Sequence, residues 1–210
     1  MPTYNCIGVV VKHSKLNDSD RLIKLLTSQD GLLDVIVKGA RKITSKKGGS
    51  IDLLNQISVQ IAKGKSLDIL TEVEIIDDYA SIKKDLFKIS LAYYLTELLV
   101  SSEYDGFECS KIFKELIITL DRLKKSRSKL TAVLILKTFE LQYLELTGYK
   151  MQNKNLNDVQ DLFDIISSNN LENLLKIKYN TETVRKLSDS IQSYTETVLE
   201  RKFKKVNLLA

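Results

Sequence analysis

The spacing of apolar residues changes near residue 80 of this 210-residue chain. Before that point apolar residues fall at alternate positions, whereas after it they recur at intervals of three and four. Six of the eight glycines lie in the first 64 residues, and all six phenylalanines lie after residue 80. Alternation is typical of half-buried strands, and the longer interval is typical of amphipathic helices. The sequence therefore predicts an α+β chain, with a small β domain over residues 1–80 and an all-helical domain over residues 81–210.

Five strand-like runs occupy the predicted β domain. A polar turn over residues 14–20 separates the first two runs, and residues 63–66 form the expected hairpin turn before the last. Five short antiparallel strands fit a small closed barrel, and the oligonucleotide-binding (OB) fold is a common barrel of five strands. An SH3-like barrel fits the same pattern. The predicted strands are residues 4–12, 21–27, 31–38, 54–62 and 67–76.

Helical spacing predicts five helices after residue 80. In the last of them Val184, Leu187 and Ile191 belong to one apolar stripe, which is a clear amphipathic signal. Gly148 follows the third helix, where a C-terminal glycine cap is expected. The predicted helices are residues 82–102, 110–124, 130–146, 157–167 and 183–202.

The small number of cysteines and histidines limits the chemistry of this chain. Structural zinc usually takes four Cys or His ligands, and the sequence holds two cysteines, Cys6 and Cys109, and one histidine, His13. It has no glycine-rich phosphate loop, paired-histidine zinc motif or nucleophile elbow. Acidic pairs such as Asp18 and Asp20 are interpreted as turn or cap residues. We therefore expect no metal, no cofactor and no enzymatic activity.

Positive charge is concentrated in one segment. Residues 38–65 carry seven basic residues against Asp52, a net charge of +6, whereas the whole chain carries +5. Five of the seven lie within residues 38–47, which contain Gly39 and are followed by Gly48 and Gly49. A flexible basic loop suits phosphate binding, because several cations can settle along a backbone of regularly spaced negative charges. The candidate nucleic-acid-binding residues of this segment are Lys38, Arg41, Lys42, Lys46, Lys47, Lys63 and Lys65.

Two further basic runs lie in the predicted helical domain. The first joins two helices and is a candidate rim for a partner-binding groove, or a set of charges that favours a helix C-terminus. The second follows the last helix, where it either extends the nucleic-acid-binding surface or is a solvated tail. The first run is Arg122, Lys124, Lys125, Arg127 and Lys129, and the second is Arg201, Lys202, Lys204 and Lys205.

Aromatic residues are scarce in the predicted β domain. Proteins that bind single strands usually stack bases on Phe, Tyr or Trp, yet residues 1–80 contain Tyr4 and Tyr79 alone. We therefore expect binding to be mainly electrostatic and strongly salt-sensitive. The longest uncharged runs, residues 1–11 and 53–62, reach about half of the roughly 18 apolar residues of a spanning helix, which predicts a cytoplasmic protein.

A series of short motifs runs along nearly the whole chain. The most specific is GLLDVIVKGAR at residues 31–41, whose end follows a V-x-K-G-A-R pattern. The others are GVVVKH at 8–13, DSDRL at 18–22, LDILTEVE at 67–74, AYYLTELL at 92–99, FELQYLELTGY at 139–149 and RKFKKV at 201–206. In their identity and their order, these motifs resemble the RecO family of bacterial recombination mediators.

This resemblance implies an N-terminal OB barrel and a C-terminal helical domain in a nucleoid-associated DNA repair protein. Members of the family bind single- and double-stranded DNA, engage the single-stranded-DNA-binding protein and anneal complementary strands. With RecR they help RecA to load onto coated DNA, and no nucleotide hydrolysis is implied. The matching positions carry Lys38 and Arg41 over as DNA contacts. A protein-interaction scaffold and an RNA-binding OB-fold protein remain the alternative functions.

The chain departs from the family pattern at two places. Many members carry a four-cysteine zinc module after the Gly-Tyr motif, whereas no Cys or His follows Tyr149 here. We therefore expect no zinc module. The family's A-L-Q-P-F stretch after the basic loop is replaced by SIDLL at residues 50–54, so the exit of the loop is not predicted by the resemblance.

Overall fold

The structure, a computed structural model, describes residues 2–42, 47–101, 106–152, 159–169 and 179–204. The chain divides into two compact units. One unit is Met1–Ala80 with Ser102–Lys114, and the other is Ser81–Ser101 with Glu115–Ala210. The single domain boundary at residue 80 stays a prediction.

Five strands form a closed barrel in the order β1-β2-β3-β5-β4. Neighbouring strands are antiparallel except β3 and β5, which pair in parallel and close the sheet. This order, with a short helix between β3 and β4, is that of the OB fold, so the predicted fold class is confirmed. The elements are β1 (Thr3–Lys15), β2 (Arg21–Thr27), β3 (Leu32–Val37), α1 (Lys47–Ser50), β4 (Gln56–Ala62) and β5 (Asp68–Asp77).

The barrel interior is filled by alternate apolar residues of every strand. Val10, Ile23, Val35, Ile57 and Leu70 belong to one buried cluster, and each is at most 1% exposed. Strand β1 connects β4 to β2 in the barrel, because its first part pairs with β4 and its second part pairs with β2. It extends beyond its predicted end at residue 12, since its last residues are polar and exposed and carry no alternating pattern.

The chain between β3 and β4 enters the barrel core although the family's proline and phenylalanine are missing. Ile51 and Leu54 are fully buried. Leu54 adopts a left-handed backbone conformation, with φ of 70°, and its amide donates to the carbonyl of Val10. The side chain of Asn55 donates to the carbonyls of Gly49 and Ser50. These bonds fix the exit of the loop that the resemblance does not predict.

In the described part of the chain, six helices follow the barrel in sequence. They are α2 (Ala80–Lys83), α3 (Leu86–Leu99), α4 (Gly106–Lys125), α5 (Lys129–Leu146), α6 (Gln160–Ser167) and α7 (Thr181–Val198). The single predicted helix over residues 82–102 is wrong at its start. Asp85 lies between α2 and α3 with an extended backbone, and its carboxylate accepts the amides of Phe87 and Lys88. This N-cap ends one helix and begins the next.

Two predicted helix ends have different outcomes. The cap at Gly148 is confirmed, because Gly148 has φ of +89° and the Tyr149 amide donates to the carbonyl of Leu144. Helix α7, in contrast, ends at Val198 rather than at residue 202. The backbone beyond it turns back, and the Arg201 amide donates to the carbonyl of Glu196.

A charged pair lies inside the second compact unit, Ser81–Ser101 with Glu115–Ala210, which we call the helical unit. The ammonium of Lys137 and the carboxylate of Glu140 are 2.7 Å apart on α5, and their side chains are 1% and 0% exposed. Glu140 also accepts hydrogen bonds from Tyr94 on α3 and from Thr195 on α7. The pair therefore joins three helices through one carboxylate.

Within the described ranges, no helix is long and apolar enough to cross a membrane. The same part of the chain brings together no group of three or more His, Cys, Asp or Glu residues that could hold a metal ion. Cys6 and Cys109 are free thiols, and Cys109 is buried with its thiol donating to the carbonyl of Thr27.

Candidate nucleic-acid interface

The turn between β1 and β2, residues 16–20, is held by a network within itself. The side-chain oxygen of Asn17 accepts the amides of Ser19 and Asp20 at 2.9 and 2.8 Å. The side-chain amide of Asn17 donates to the carboxylate of Asp20. Asn and Asp favour turns because their short side chains can satisfy nearby backbone groups in this way. We call this segment the β1–β2 turn.

The segment that follows β3, residues 38–42, is bound to the β1–β2 turn by three hydrogen bonds. The amide of Gly39 donates to the carboxylate of Asp20 at 2.8 Å. The backbone amide of Arg41 donates to the carbonyl of Ser19, and its guanidinium donates to the carbonyl of Asn17 at 2.7 Å. We call residues 38–42 the basic loop. The turn and the basic loop thus form one connected structure at the end of the barrel.

Gly39 has a conformational reason to be in the basic loop. Its φ is +68°, a left-handed conformation that residues with a Cβ atom rarely adopt. The conformation turns its amide towards Asp20 and lets Ala40 enter the barrel core, where Ala40 is 4% exposed. Lys38, Arg41 and Lys42 remain exposed on the outside of this turn of chain.

Electrostatics support the same arrangement. Two hydrogen bonds lower the pKa of Asp20, and the one from the Gly39 amide has a larger effect than the one from Asn17. The charges of Lys38 and Lys42 lower this pKa further. Asp20 is therefore a carboxylate at any ordinary pH. The side chains of Lys38 and Lys42 make no hydrogen bond or ion pair within the part of the chain that the structure describes. The structure therefore leaves both ammonium groups open to solvent beside a backbone that is hydrogen-bonded to the β1–β2 turn.

The other candidates in the basic segment have different surroundings. Lys46 lies outside the described residues. Lys47 begins α1, is half-buried, and its ammonium donates to the carbonyl of Thr71 on β5 at 2.8 Å. Its charge therefore supports the contact between α1 and the barrel.

Lys63 and Lys65 are exposed in the turn between β4 and β5. The ammonium of Lys63 lies 5.7 Å from the ring centre of Tyr4, whose hydroxyl donates to Asp68. Because β5 runs parallel to β3 with Asp68 beside Val35, this turn extends towards the start of β3. The basic loop leaves from the other end of β3, so these two basic segments are not brought together.

The basic run after α7 is largely compensated by acidic residues of the helical unit. Arg201 lies 3.6 Å from Glu97, and Lys202 lies 2.7 Å from Glu196. Phe203, which follows them, is 6% exposed, and its ring centre lies 5.6 Å from that of Tyr94. Lys204 is exposed, and Lys205 lies outside the described residues.

The basic run between α4 and α5 lies beside the start of α3. The ammonium of Lys88 donates to the carbonyl of Ser126 at 2.7 Å, and that of Lys129 lies 5.3 Å from the ring centre of Phe87. Leu86 is 87% exposed at the first position of α3. Lys124, Lys125 and Arg127 are exposed in the same region. Arg122 is turned towards α6 and donates to the side chain of Asn169.

Sequence reasoning missed two kinds of residue in the barrel. Asn17 and Asp20 position the basic loop, although the sequence suggests a role within their own turn. Lys15 and Arg21 lie directly opposite each other at the base of the β1–β2 turn. Residue counts hide these cations, because the acidic residues of the same hairpin offset them. The pairing register of β1 with β2 reveals them.

The barrel and its basic end define the class of OB-fold proteins with a helical extension. Residues 1–79 match the family model described as "Recombination protein O N terminal", and residues 83–155 match "Recombination protein O C terminal". The chain belongs to the RecO family of DNA repair proteins. The resemblance based on the ordered motifs is thereby confirmed.

Curated relatives agree with this assignment. The chain is 32% identical over 143 residues to the DNA repair protein RecO of Dehalococcoides mccartyi strain 195, which covers 68% of the chain and 55% of the relative. It is 37% identical over 122 residues to that of Synechococcus elongatus, covering 58% and 46%. A third match, to that of Gloeothece citriformis, is 38% identical over 99 residues, covering 47% and 35%. The matched region thus spans about half or less of the length of these relatives.

Proposed function

We propose that this protein is a non-enzymatic recombination mediator that binds and anneals DNA through its barrel. The observation that carries the proposal is the cluster of Lys38, Arg41 and Lys42 around the β1–β2 turn of an OB barrel. Phosphate oxygens are the natural partners of such exposed cations, and their binding releases counterions from the DNA. The relatives named as DNA repair proteins support DNA as the nucleic acid.

Annealing follows from the same electrostatics. Two complementary strands repel each other through their phosphates, and cations on a protein surface lower this repulsion when they neutralise some of the charge. The β domain offers Tyr4, whose hydroxyl is bound by Asp68, and Tyr79, which is 1% exposed. The Tyr79 ring is too buried to stack on a base, and the half-buried Tyr4 ring is already in contact with Lys63. The bases of a bound strand therefore stay available for pairing.

We also propose that the helical unit docks the tail of the single-stranded-DNA-binding protein, taken as acidic and apolar. The start of α3 and the α4–α5 junction suit such a tail, because exposed Leu86 lies among cations. An apolar contact would supply affinity, and the cations would supply attraction and orientation. We name this surface the α3 patch, made of Leu86, Phe87, Lys125, Arg127 and Lys129.

In this proposal the protein acts with RecR to help RecA load onto coated DNA in the bacterial cytoplasm, associated with the nucleoid. It needs no cofactor, because its proposed role is to change which proteins are bound to the DNA strand. The candidate contacts after α7, Arg201, Lys202 and Lys204, are retained as secondary DNA contacts, as are Lys47, Lys63 and Lys65 in the barrel.

A strand-annealing assay tests this function directly. Two complementary labelled oligonucleotides are coated with the single-strand-binding protein, and duplex formation is followed with and without the protein. We expect clear acceleration that disappears at high salt. An RNA pair of the same sequence separates DNA annealing from general RNA binding. Absence of acceleration, together with no titratable binding of labelled DNA by anisotropy, would leave a protein-interaction scaffold as the function.

A further inference from the structure

Two cations face each other at the base of the β1–β2 turn. Lys15, the last residue of β1, is directly opposite Arg21, the first residue of β2. Side chains at directly opposite positions of an antiparallel pair lie on the same face within about 5 Å at their Cβ atoms, and like charges there are destabilising. The hairpin therefore retains an unfavourable pair at a position that a neutral residue could fill.

No acceptor within the described residues accounts for the positive charge of Arg21 at this position. Arg21 is half-buried, and among the described residues its side chain makes no hydrogen bond or ion pair. The two acidic residues of the turn are engaged elsewhere. Asp18 lies 3.4 Å from Lys15 in an exposed pair, and Asp20 accepts hydrogen bonds from Gly39 and Asn17. A guanidinium without an acceptor on a half-buried arginine favours an external anion, since its planar fork of donors matches phosphate oxygens.

The position of Arg21 joins it to the basic loop. Arg21 is directly opposite Val37 on β3, and Lys38 follows Val37 as the first residue of the loop. On the other side, the turn that connects Lys15 to Arg21 accepts the two hydrogen bonds of Arg41. The pair and the loop therefore belong to the same connected end of the barrel.

We propose that Arg21, assisted by Lys15, binds a phosphate of the nucleic-acid backbone next to those held by the basic loop, and that this site reads the backbone without reading the bases. The proposal rests on the proposed function, since it extends the same surface. The guanidinium of Arg21 binds one phosphate, while Lys38 and Lys42 attract the neighbouring phosphates along the strand. The class of ligand is a phosphodiester chain, with or without bases.

Fluorescence anisotropy with the full chain tests this site. The probes are a labelled single-stranded oligonucleotide and an oligonucleotide of equal length whose bases are replaced by abasic positions. Arg21→Gln is compared with Lys12→Gln, which removes one exposed cation from the same hairpin but from the opposite face of β1. We expect Arg21→Gln to weaken binding of both probes roughly tenfold, the loss of one charged hydrogen-bonding contact. We also expect it to lower the salt slope by about 0.7.

The Lys12→Gln variant should bind within about twofold of the wild type, because Lys12 is not part of this site and exposed charges contribute little alone. Arg21→Lys keeps the charge and the aliphatic stem, so it should fold and bind less tightly than the wild type because the fork is lost. If Arg21→Gln and Arg21→Lys both bind DNA as tightly as the wild type does, the phosphate site is overturned and the proposed function remains intact. Failure of the abasic probe to bind would overturn recognition through the backbone alone. Failure of the wild type to bind either probe would overturn both proposals.

Discussion

The guanidinium of Arg41 donates a 2.7 Å hydrogen bond to the backbone carbonyl of Asn17. Arg41 therefore connects the basic loop to the β1–β2 turn with one of its five donors and keeps the others for solvent or a ligand. The side chain matched to the RecO motif has a structural contact as well as a proposed DNA contact. Lys38 and Lys42, beside it, have no such second contact among the described residues.

The double substitution of Lys38 and Lys42 by Gln is the cleanest removal of charge from the basic loop. Both ammonium groups are exposed, so the free energy of unfolding should change by about 0.5 kcal/mol or less. The logarithmic salt slope of single-strand binding should fall by about 1.4, which is about 0.7 for each phosphate contact. Anisotropy titrations over a range of salt concentrations measure both affinity and slope.

Arg185→Gln with Lys186→Gln is the matched control for that double variant. It removes the same charge from exposed positions of α7, so the overall charge of the two variants is equal. The control should leave the salt slope unchanged. Equal losses of affinity in the two double variants would show that net charge, rather than the basic loop, determines binding.

Asp20 restrains the basic loop and also opposes its charge. Asp20→Asn keeps an oxygen that can accept the Gly39 amide and removes the negative charge next to Lys38 and Lys42. We expect tighter DNA binding at low salt with the fold unchanged. Asp20→Ala loses the acceptor as well, so the loop loses its anchor and the gain in affinity should be absent. Thermal unfolding and anisotropy of the two variants, measured side by side, distinguish charge from anchoring.

The alternation of apolar residues was sufficient to predict the five strands and a small barrel, because a barrel must bury one face of every strand. The same pattern also fits an SH3-like barrel, so the choice of the OB fold depended on the resemblance to the RecO family. The connection of Asn17 and Asp20 to the basic loop was not predictable, since it depends on how β2 and β3 pair. The compensation of Lys202 by Glu196 was missed because the predicted helix continued past the point where the chain turns back. Charge counts along a sequence do not contain such contacts.

Leu86 offers a test of the α3 patch with little risk to the fold. It is 87% exposed, so Leu86→Ser should change the free energy of unfolding by about 0.5 kcal/mol or less. If the patch docks an acidic, apolar peptide, the substitution should weaken binding of a labelled tail peptide of the single-strand-binding protein. The control is Tyr149→Ser, at a 43% exposed position beyond the end of α5. Equal peptide affinity for the wild type and Leu86→Ser would exclude the patch.

Glu196 makes the end of α7 sensitive to acid. Hydrogen bonds from Lys202, Gln192 and the Phe203 amide lower the pKa of Glu196 from 4.5 to about 2. A lowered pKa in the folded state means that this contribution to stability is complete above about 4.5 and is lost as the pH falls towards about 2. Glu196→Gln removes the titrating group. Urea unfolding of both proteins should therefore show a stability difference that is constant near neutral pH and shrinks below about 4.5.

The buried pair of Lys137 and Glu140 gives the strongest prediction for stability. Glu140→Gln leaves the Lys137 ammonium in the interior without a counter-charge, and such a loss destabilises by about 3–5 kcal/mol. Replacing both residues, as Lys137→Met with Glu140→Gln, removes both charges and leaves an amide oxygen for the hydroxyls of Tyr94 and Thr195. The double variant should then be more stable than Glu140→Gln alone, so that the effects of the two substitutions are far from additive. Urea unfolding of the four proteins of this cycle measures the coupling, and additive effects would show that the pair does not act as a unit.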